Sequence, residues 1–381
     1  MCGILGYSAQ SPKRQLNSAI KLLQHRGPDG SGTFFANDKK VALGHTRLSI
    51  LDLSYNGSQP MVSDCKRFAL TYNGEIYNFL QLKRTLEEEG FSFKGNSDTE
   101  VVLKMCEKYF NSGNTLTDLL QHLDGMFAFA LWDDKLKTLT LARDQFGVKP
   151  LYYAHQNDSF YFASEIKAIK KMGFDITAVN YKAMHRYMSF MWCPGKDVLA
   201  EGIYKVLPGQ YVTFVKGKVI KKDWSNLDAS SMVSDENMSL QEAIHGVKSN
   251  LKLAVEKQII SDVPVGAFLS GGLDSSAIVS IAREYVTDIP CFTIDIGKDR
   301  ESGATQDLPF AKMAAKHLGL KLHQVSVNPK AIAQDIESMV YSLDEPIADP
   351  AALNVKYIAA LARSNGVKVL LSGSGGDDIF S

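Results

Sequence analysis

The hydrophobic pattern changes period once, and that change limits the folds open to this 381-residue chain. Before it, short apolar, aromatic and β-branched runs recur at 4–7, 40–45, 68–72, 126–132, 138–143, 151–154 and 160–164, separated by Gly, Asn and Asp turns. Two amphipathic stretches interrupt them. Residues 79–90 set Leu80, Leu82 and Leu86 on one side, and residues 99–110 set Val102, Leu103, Cys106 and Phe110 on one face. After it, a helical pattern over 240–261 is followed by strands at 265–269, 290–295, 322–327 and 367–371. Helices at 275–285, 308–318, 331–343 and 352–365 alternate with these strands, which calls for parallel crossover units and a doubly wound sheet. The small polar residues of 225–239 lie between the two regimes. We therefore expect a domain at 2–224 built of antiparallel sheets with helices stacked outside, a linker at 225–239, and an α/β domain at 240–381.

Composition narrows the partners. Lys plus Arg and Asp plus Glu are each 42, so no net field favours nucleic acid or an anionic membrane, and small molecules are the expected ligands. Five scattered cysteines, without a Cys-x-x-Cys pair, indicate neither a disulfide framework nor a zinc site. No apolar run has membrane-span length and no signal-peptide core follows the N-terminus, so a cytoplasmic protein is expected, with a homodimer left open.

Chemistry first shows at Cys2. Once Met1 is trimmed, the thiol and a free α-amine share one Cα, and an amine of pKa ~8 can serve as the base for its own nucleophile. On its own, Cys2 reads better as a small apolar residue opening the first strand. Three polar stretches join it: Arg47 at a strand end with Leu48, Ser49, Ile50 and Leu51 behind it; Asn73, Gly74 and Glu75 in what looks like a turn; and Asp98 at a helix start. Singly, these are an ion-pair partner, a turn dipeptide and a cap. Jointly they offer a fork for a carboxylate, an amide and a backbone N–H for an oxyanion, and carboxylates for an ammonium.

With Cys2-Gly3-Ile4, the loop from His25 to Gly30, and the stretches at 47–50, 72–75 and 97–100, the chain resembles the class II glutamine amidotransferase domain. Residues 142–152 resemble its asparagine synthetase version. The resemblance implies an α+β N-terminal-nucleophile αββα sandwich in which Cys2 attacks the glutamine amide. Arg47 would hold the carboxylate, Glu75 and Asp98 the amine, Asn73 and Gly74 the oxyanion, and Leu48, Ser49, Ile50 and Leu51 would complete the glutamine site, under a loop from His25 to Gly30.

The second region centres on Ser270, Gly271, Gly272, Leu273, Asp274, Ser275 and Ser276, between a strand and a helix. Glycines and hydroxyls at a helix start suit pyrophosphate, as they suit an ordinary capped turn. The stretch resembles the loop of an ATP pyrophosphatase domain, with companion elements at 292–294 and 371–378. The resemblance implies that ATP lies against Leu269, Ser270, Gly271, Gly272, Asp274, Ser275, Ser276, Ile294, Ser372 and Gly373, and that Asp274 and Asp377 hold Mg²⁺. Two departures stand out: Ser374 occupies a position where the family has glutamate, and family members continue beyond residue 381 with a helical portion. The expectation is a glutamine-dependent, ATP-consuming ligase that amidates a carboxylate through an acyl-adenylate, aspartate by default. The alternatives are another acceptor, such as a sugar uronate, selected by Ser374, or a shortened glutaminase or binding protein.

Overall fold

The first region forms two six-stranded sheets stacked face to face. Its strands are β1 (Gly3–Ser8), β2 (Gly30–Phe35), β3 (Val41–Arg47), β4 (Met61–Val62), β5 (Phe68–Ile76), β6 (Gly125–Asp133), β7 (Thr138–Arg143), β8 (Tyr152–Gln156), β9 (Ser159–Ala163), β10 (Ile203–Lys205), β11 (Gln210–Val215) and β12 (Lys218–Asp223). One sheet runs β10-β8-β9-β1-β3-β2 and the other β12-β11-β7-β6-β5-β4, all pairings antiparallel. The computed structural model describes residues 1–9, 15–225, 238–295, 307–327, 329–349 and 351–380. Most of the expected linker, residues 226–237, lies outside the described residues.

Three buried clusters mark the layers, because each strand sends alternate side chains to opposite faces. Ile4, Leu43, Ala69, Ala128, Leu141, Phe160 and Phe162 fill the space between the sheets. Leu5, Tyr7 and Ala163 pack the first sheet onto the helices Leu16–Leu22 and Ile166–Met172. Phe68, Leu70, Tyr72, Phe127 and Phe129 pack the second onto Phe79–Glu88 and Asp98–Asn111. The result is the αββα sandwich. The positions of the expected site residues follow from it: Cys2 immediately precedes β1, β3 ends on Arg47, and Ser97 Oγ accepts the Glu100 N–H at 3.3 Å to begin the helix at Asp98.

Residues 73–75 correct the turn expected there. Asn-Gly favours turns locally, yet β5 continues in register with β6 from Phe68↔Asp133 to Ile76↔Gly125. Pairing and the burial of Tyr72 and Ile76 outweigh the local preference. Gly74 is needed for a different reason: a Cβ there would overlap Met126 O and Phe127.

Chain contacts divide the protein into residues 1–232 with 344–347, and residues 233–343 with 348–381. The second unit holds a parallel sheet of β13 (Val265–Phe268), β14 (Cys291–Asp295), β15 (Leu322–Ser326) and β16 (Val369–Leu371), in the order β15-β14-β13-β16. Five helices accompany the sheet among the described residues: Leu240–Gln258, Leu273–Ala282, Asp307–Leu318, Pro329–Leu343 and Ala351–Ser364, with a short sixth at Gly376–Phe380. The order doubles back at β13, so the crevice of this sheet opens at the carboxyl ends of β13 and β16. No described helix is long and apolar enough to cross a membrane.

Candidate active site

Cys2 is held at the edge of the first sheet by the chain it leads into and by the loop after β3. Its Sγ accepts the Leu48 N–H at 3.4 Å and approaches Leu48 O at 3.7 Å, while Arg26 Nε donates to its carbonyl at 3.0 Å. Burial pushes the Cys2 thiol up, against the Leu48 hydrogen bond that favours the thiolate. Such a thiol needs a base to become a nucleophile. With Met1 in place, burial draws the terminal amine down to about 5, helped by Arg26 and Lys149. These surroundings favour a neutral, proton-accepting amine.

One cavity gathers Cys2, Arg47, Leu48, Ile50, Leu51, Gly74, Glu75 and Asp98. Of the expected residues, Ser49 and Asn73 do not line it. Ser49 N donates to Asp29 Oδ2 at 2.9 Å and so ties the 25–30 loop to the 48–51 loop. Arg47 sends Nη1 to Ser54 O at 2.9 Å and Nη2 to Asp52 O, so its guanidinium is oriented by the loop carbonyls.

The strand geometry bears on the expected oxyanion donors, Asn73 and Gly74. Tyr72 N donates to Gln59 Oε1 at 2.7 Å and Ile76 N to Asp98 Oδ2 at 3.0 Å, both on the edge of β5 away from β6. Gly74 has the same parity, so its N–H points to that edge and outside the ladder. Asn73 carries the complementary feature: its side-chain Nδ2 is buried with no partner among the described residues. A buried amide donor left open is costly unless something arrives to use it.

Asp98 is buried and accepts Tyr72 OH at 2.7 Å beside the Ile76 N–H. Burial raises its carboxyl in spite of those donors. Burial, and next the Asp98 charge, raise Glu75 well above the usual carboxylate range, with Lys149 acting in the opposite sense. Two carboxyls that resist ionising together form a receptor for a cation, which would restore both charges.

In the second unit the expected phosphate loop follows β13. Ser270 Oγ accepts the Gly272 N–H at 3.2 Å and lies 3.0 Å from Ser275 Oγ, and the helix begins at Leu273, two residues before the expected start. Ser276 Oγ is buried without a partner among the described residues. Leu269 is placed in the core, so it offers the crevice only its backbone, while Ile294 is half-buried at the end of β14. The loop after β16 meets the first loop directly: a Cβ on Gly373 or Gly376 would overlap Asp274. Asp274 thus lies against the loop after β16, in which Ser372 Oγ and Ser374 Oγ are joined at 2.8 Å, and Asp377 follows in the helix Gly376–Phe380. A pair of carboxylates such as Asp274 and Asp377 would suit Mg²⁺, which takes few protein ligands; no group of three or more His, Cys, Asp or Glu forms a metal site among the described residues.

Family models match at both units, a glutamine amidotransferase domain over residues 1–225 and an asparagine synthase domain over residues 246–381. A putative glutamine-hydrolysing asparagine synthetase 2 of Methanocaldococcus jannaschii is 32% identical over 100% of this chain and 75% of its own. The chain belongs to the glutamine-hydrolysing asparagine synthetase family. Asparagine synthetase 1 of Bacillus subtilis is 35% identical over 100% of this chain and 58% of its own length. Amidase chry2 of Gibberella zeae is 30% identical over 99% of this chain and 56% of its own. The chain therefore spans little more than half of these two relatives.

Within this family member, three charged residues near Cys2 escaped the sequence reading. Arg26 was seen only as part of a loop, Lys149 only as part of a motif, and Glu165 not at all. Lys149 is buried, and burial lowers its ammonium while the Glu75 charge supports it. Its position is set by Asp144, whose carboxylate accepts the N–H groups of Phe127, Phe146, Val148 and Lys149 at 3.0–3.2 Å. A charged residue next to an apolar strand, as at 149 and 165, was the available signal.

Proposed function

We propose that this asparagine synthetase family member releases ammonia from glutamine at Cys2 and uses ATP to activate a carboxylate for amidation. The observation that carries the reading is the single cavity that brings Cys2 together with Arg47, Gly74, Glu75 and Asp98. The α-amine of a trimmed Cys2 takes the thiol proton as Sγ attacks the glutamine amide carbon. The developing oxyanion meets Gly74 N–H and Asn73 Nδ2, and the amine returns its proton to the departing ammonia. Water then hydrolyses the thioester to glutamate. Arg47 pairs with the substrate carboxylate, and Glu75 and Asp98 with its ammonium.

In the second unit the acceptor carboxylate attacks the α-phosphorus of ATP, pyrophosphate leaves against Ser270–Ser276, and ammonia displaces AMP. Asp274 and Asp377 would hold Mg²⁺, which would neutralise charge on the leaving pyrophosphate. The family makes aspartate the first acceptor to test. A different carboxylate is favoured by one feature, Ser374, whose hydroxyl is joined to Ser372 Oγ where the family resemblance calls for a carboxylate. Product analysis decides the class of chemistry: glutamate, AMP and pyrophosphate are expected with Asp274→Asn abolishing the last two, whereas ADP and phosphate would refute the ATP reading.

A further inference from the structure

The residue that holds Cys2 is itself held. Arg26, with a side chain 10% exposed, uses Nε for the Cys2 carbonyl at 3.0 Å and Nη1 for Glu165 Oε1 at 3.0 Å. Glu165 is 2% exposed and also meets His25 Nε2 at 2.9 Å and Lys167 Nζ at 2.7 Å. We propose that Glu165 is a positioning residue for the Cys2 nucleophile, acting through Arg26. The inference rests on the reading of Cys2 as the group that attacks glutamine.

The geometry argues the role. A guanidinium is planar, so anchoring two of its edges fixes its plane as well as its position. With Nη1 and Nε committed to Glu165 and Cys2, the Cys2 carbonyl has one place to be. The neighbouring Ser164 grips the same strand end: Ser164 N donates to Ile4 O at 2.8 Å, and Ile4 N donates to Ser164 Oγ at 3.0 Å. Two consecutive residues at the start of the Ile166–Met172 helix therefore clamp the chain on both sides of Gly3. Thiol and amine sit on one Cα in the trimmed chain, so a single anchor on that residue aims nucleophile and base at once. Release of the anchor would let the terminus rotate and turn both away.

Burial alone would raise the Glu165 carboxyl; His25, Lys167 and Arg26 outweigh it and hold it at about 2. The carboxylate is thus charged at any working pH and the tether is permanent. A buried ion pair is weak evidence for stability, since apolar replacements are often as stable, so the role of this pair shows in activity rather than in melting temperature.

The test is steady-state glutamine hydrolysis by the full chain as wild type, Cys2→Ala, Glu165→Gln, Arg26→Lys and the Glu165→Gln/Arg26→Lys double variant, with thermal melts alongside. Misplacing a reacting group by about 1 Å can cost ~10²-fold, so each single variant is expected to lower kcat about 10- to 100-fold with KM within about threefold. The double variant is expected within about threefold of the slower single one, because both act on one anchor. Arg26→Lys keeps a cation for Glu165 but cannot hold both partners in one plane. A folded Arg26→Lys with kcat within about twofold of wild type overturns the proposal, as do fully additive losses; if Glu165→Gln does not fold, Arg26→Lys decides alone. Glutaminase activity that persists in Cys2→Ala sinks the underlying reading of Cys2 and is distinguishable because it appears without any change at residue 165.

Discussion

The two sites are built in opposite ways. Around Cys2 the groups are buried, as Asp98 is, or half-buried, as Cys2, Arg26, Arg47 and Glu75 are, and they are largely bonded to protein: Asp98 to Tyr72 and Ile76, Arg47 to loop carbonyls, Arg26 to Cys2 and Glu165. The loops at 270–276 and 372–378 are mostly exposed or half-buried and bond chiefly to themselves, through Ser270, Gly272, Ser275 and the Ser372–Ser374 pair. If Cys2 is the reacting thiol, as proposed, it must be aimed before its substrate arrives, and protein groups take over much of the role of water. A phosphate site needs only donors at a helix start and space for a charged, hydrated ligand. Substitutions should consequently trouble folding and activity together in the first site and activity alone in the second.

That contrast can be broken. The largest effect is expected from Cys2→Ala, which removes the nucleophile and should lower glutamine hydrolysis by about 10³-fold or more, while ammonia-dependent amide synthesis continues, as amide product assays would show. Next comes Asn73→Ala. Its lost oxyanion donor should cost about 10²- to 10³-fold in kcat with little change in KM. Since Asn73 Nδ2 has no partner among the described residues, the melting temperature should barely move, which makes it the exception that sharpens the rule.

Asp98→Asn should raise KM for glutamine about 10-fold and also destabilise the first unit by ~1–3 kcal/mol, since it weakens the bonds to Tyr72 OH and Ile76 N–H. Asp274→Asn, by contrast, should leave the melt unchanged while ending AMP release; equal destabilisation by both would erase the distinction. The smallest change is in acceptor choice. Ser374→Glu should shift preference toward aspartate by about 10-fold through an added charged contact, read by competition between aspartate and a plain carboxylate such as a uronate.

The pH dependence follows from the enclosure of the terminus. Burial lowers the chain's terminal amine to about 5 in the presence of Met1, with Arg26 and Lys149 acting in the same sense, and the same direction is expected for the amine of a trimmed Cys2. A lowered amine pKa means the free base persists to lower pH. The acid limb of kcat/KM for glutamine should therefore lie below the ordinary amine value of ~8, and a limb at or above 8 would mean that the amine is not the base.

Sequence patterns carried the antiparallel sheets with helices outside and the start of the helix at Asp98, because period-2 strands and a capped helix are local signals: Ser97 and Asp98 stand where the helix begins. They failed where pairing decides. The Asn73-Gly74 dipeptide looked like a turn and became strand, since β6 supplies the register that residues 73–75 cannot announce. Strand β2 was missed because two of its first three residues are glycine and most of its residues are exposed. The β10–β12 stretch was missed too, as its strands are short and broken by Gly and Pro turns. Glu165 could not be paired from sequence at all: its partner Arg26 is 139 residues away, and only the sandwich brings β9 beside β1.

The central claim is that Cys2, as the terminal residue, is the nucleophile. Intact-mass measurement with N-terminal peptide mapping, before and after treatment with a diazoketone analogue of glutamine, tests it most directly. The account predicts a chain that starts at Cys2 and a single adduct on that residue, formed in step with loss of glutaminase activity. Full activity in a chain that keeps Met1, or an inactivating adduct on Cys65, Cys106, Cys193 or Cys291, would contradict it.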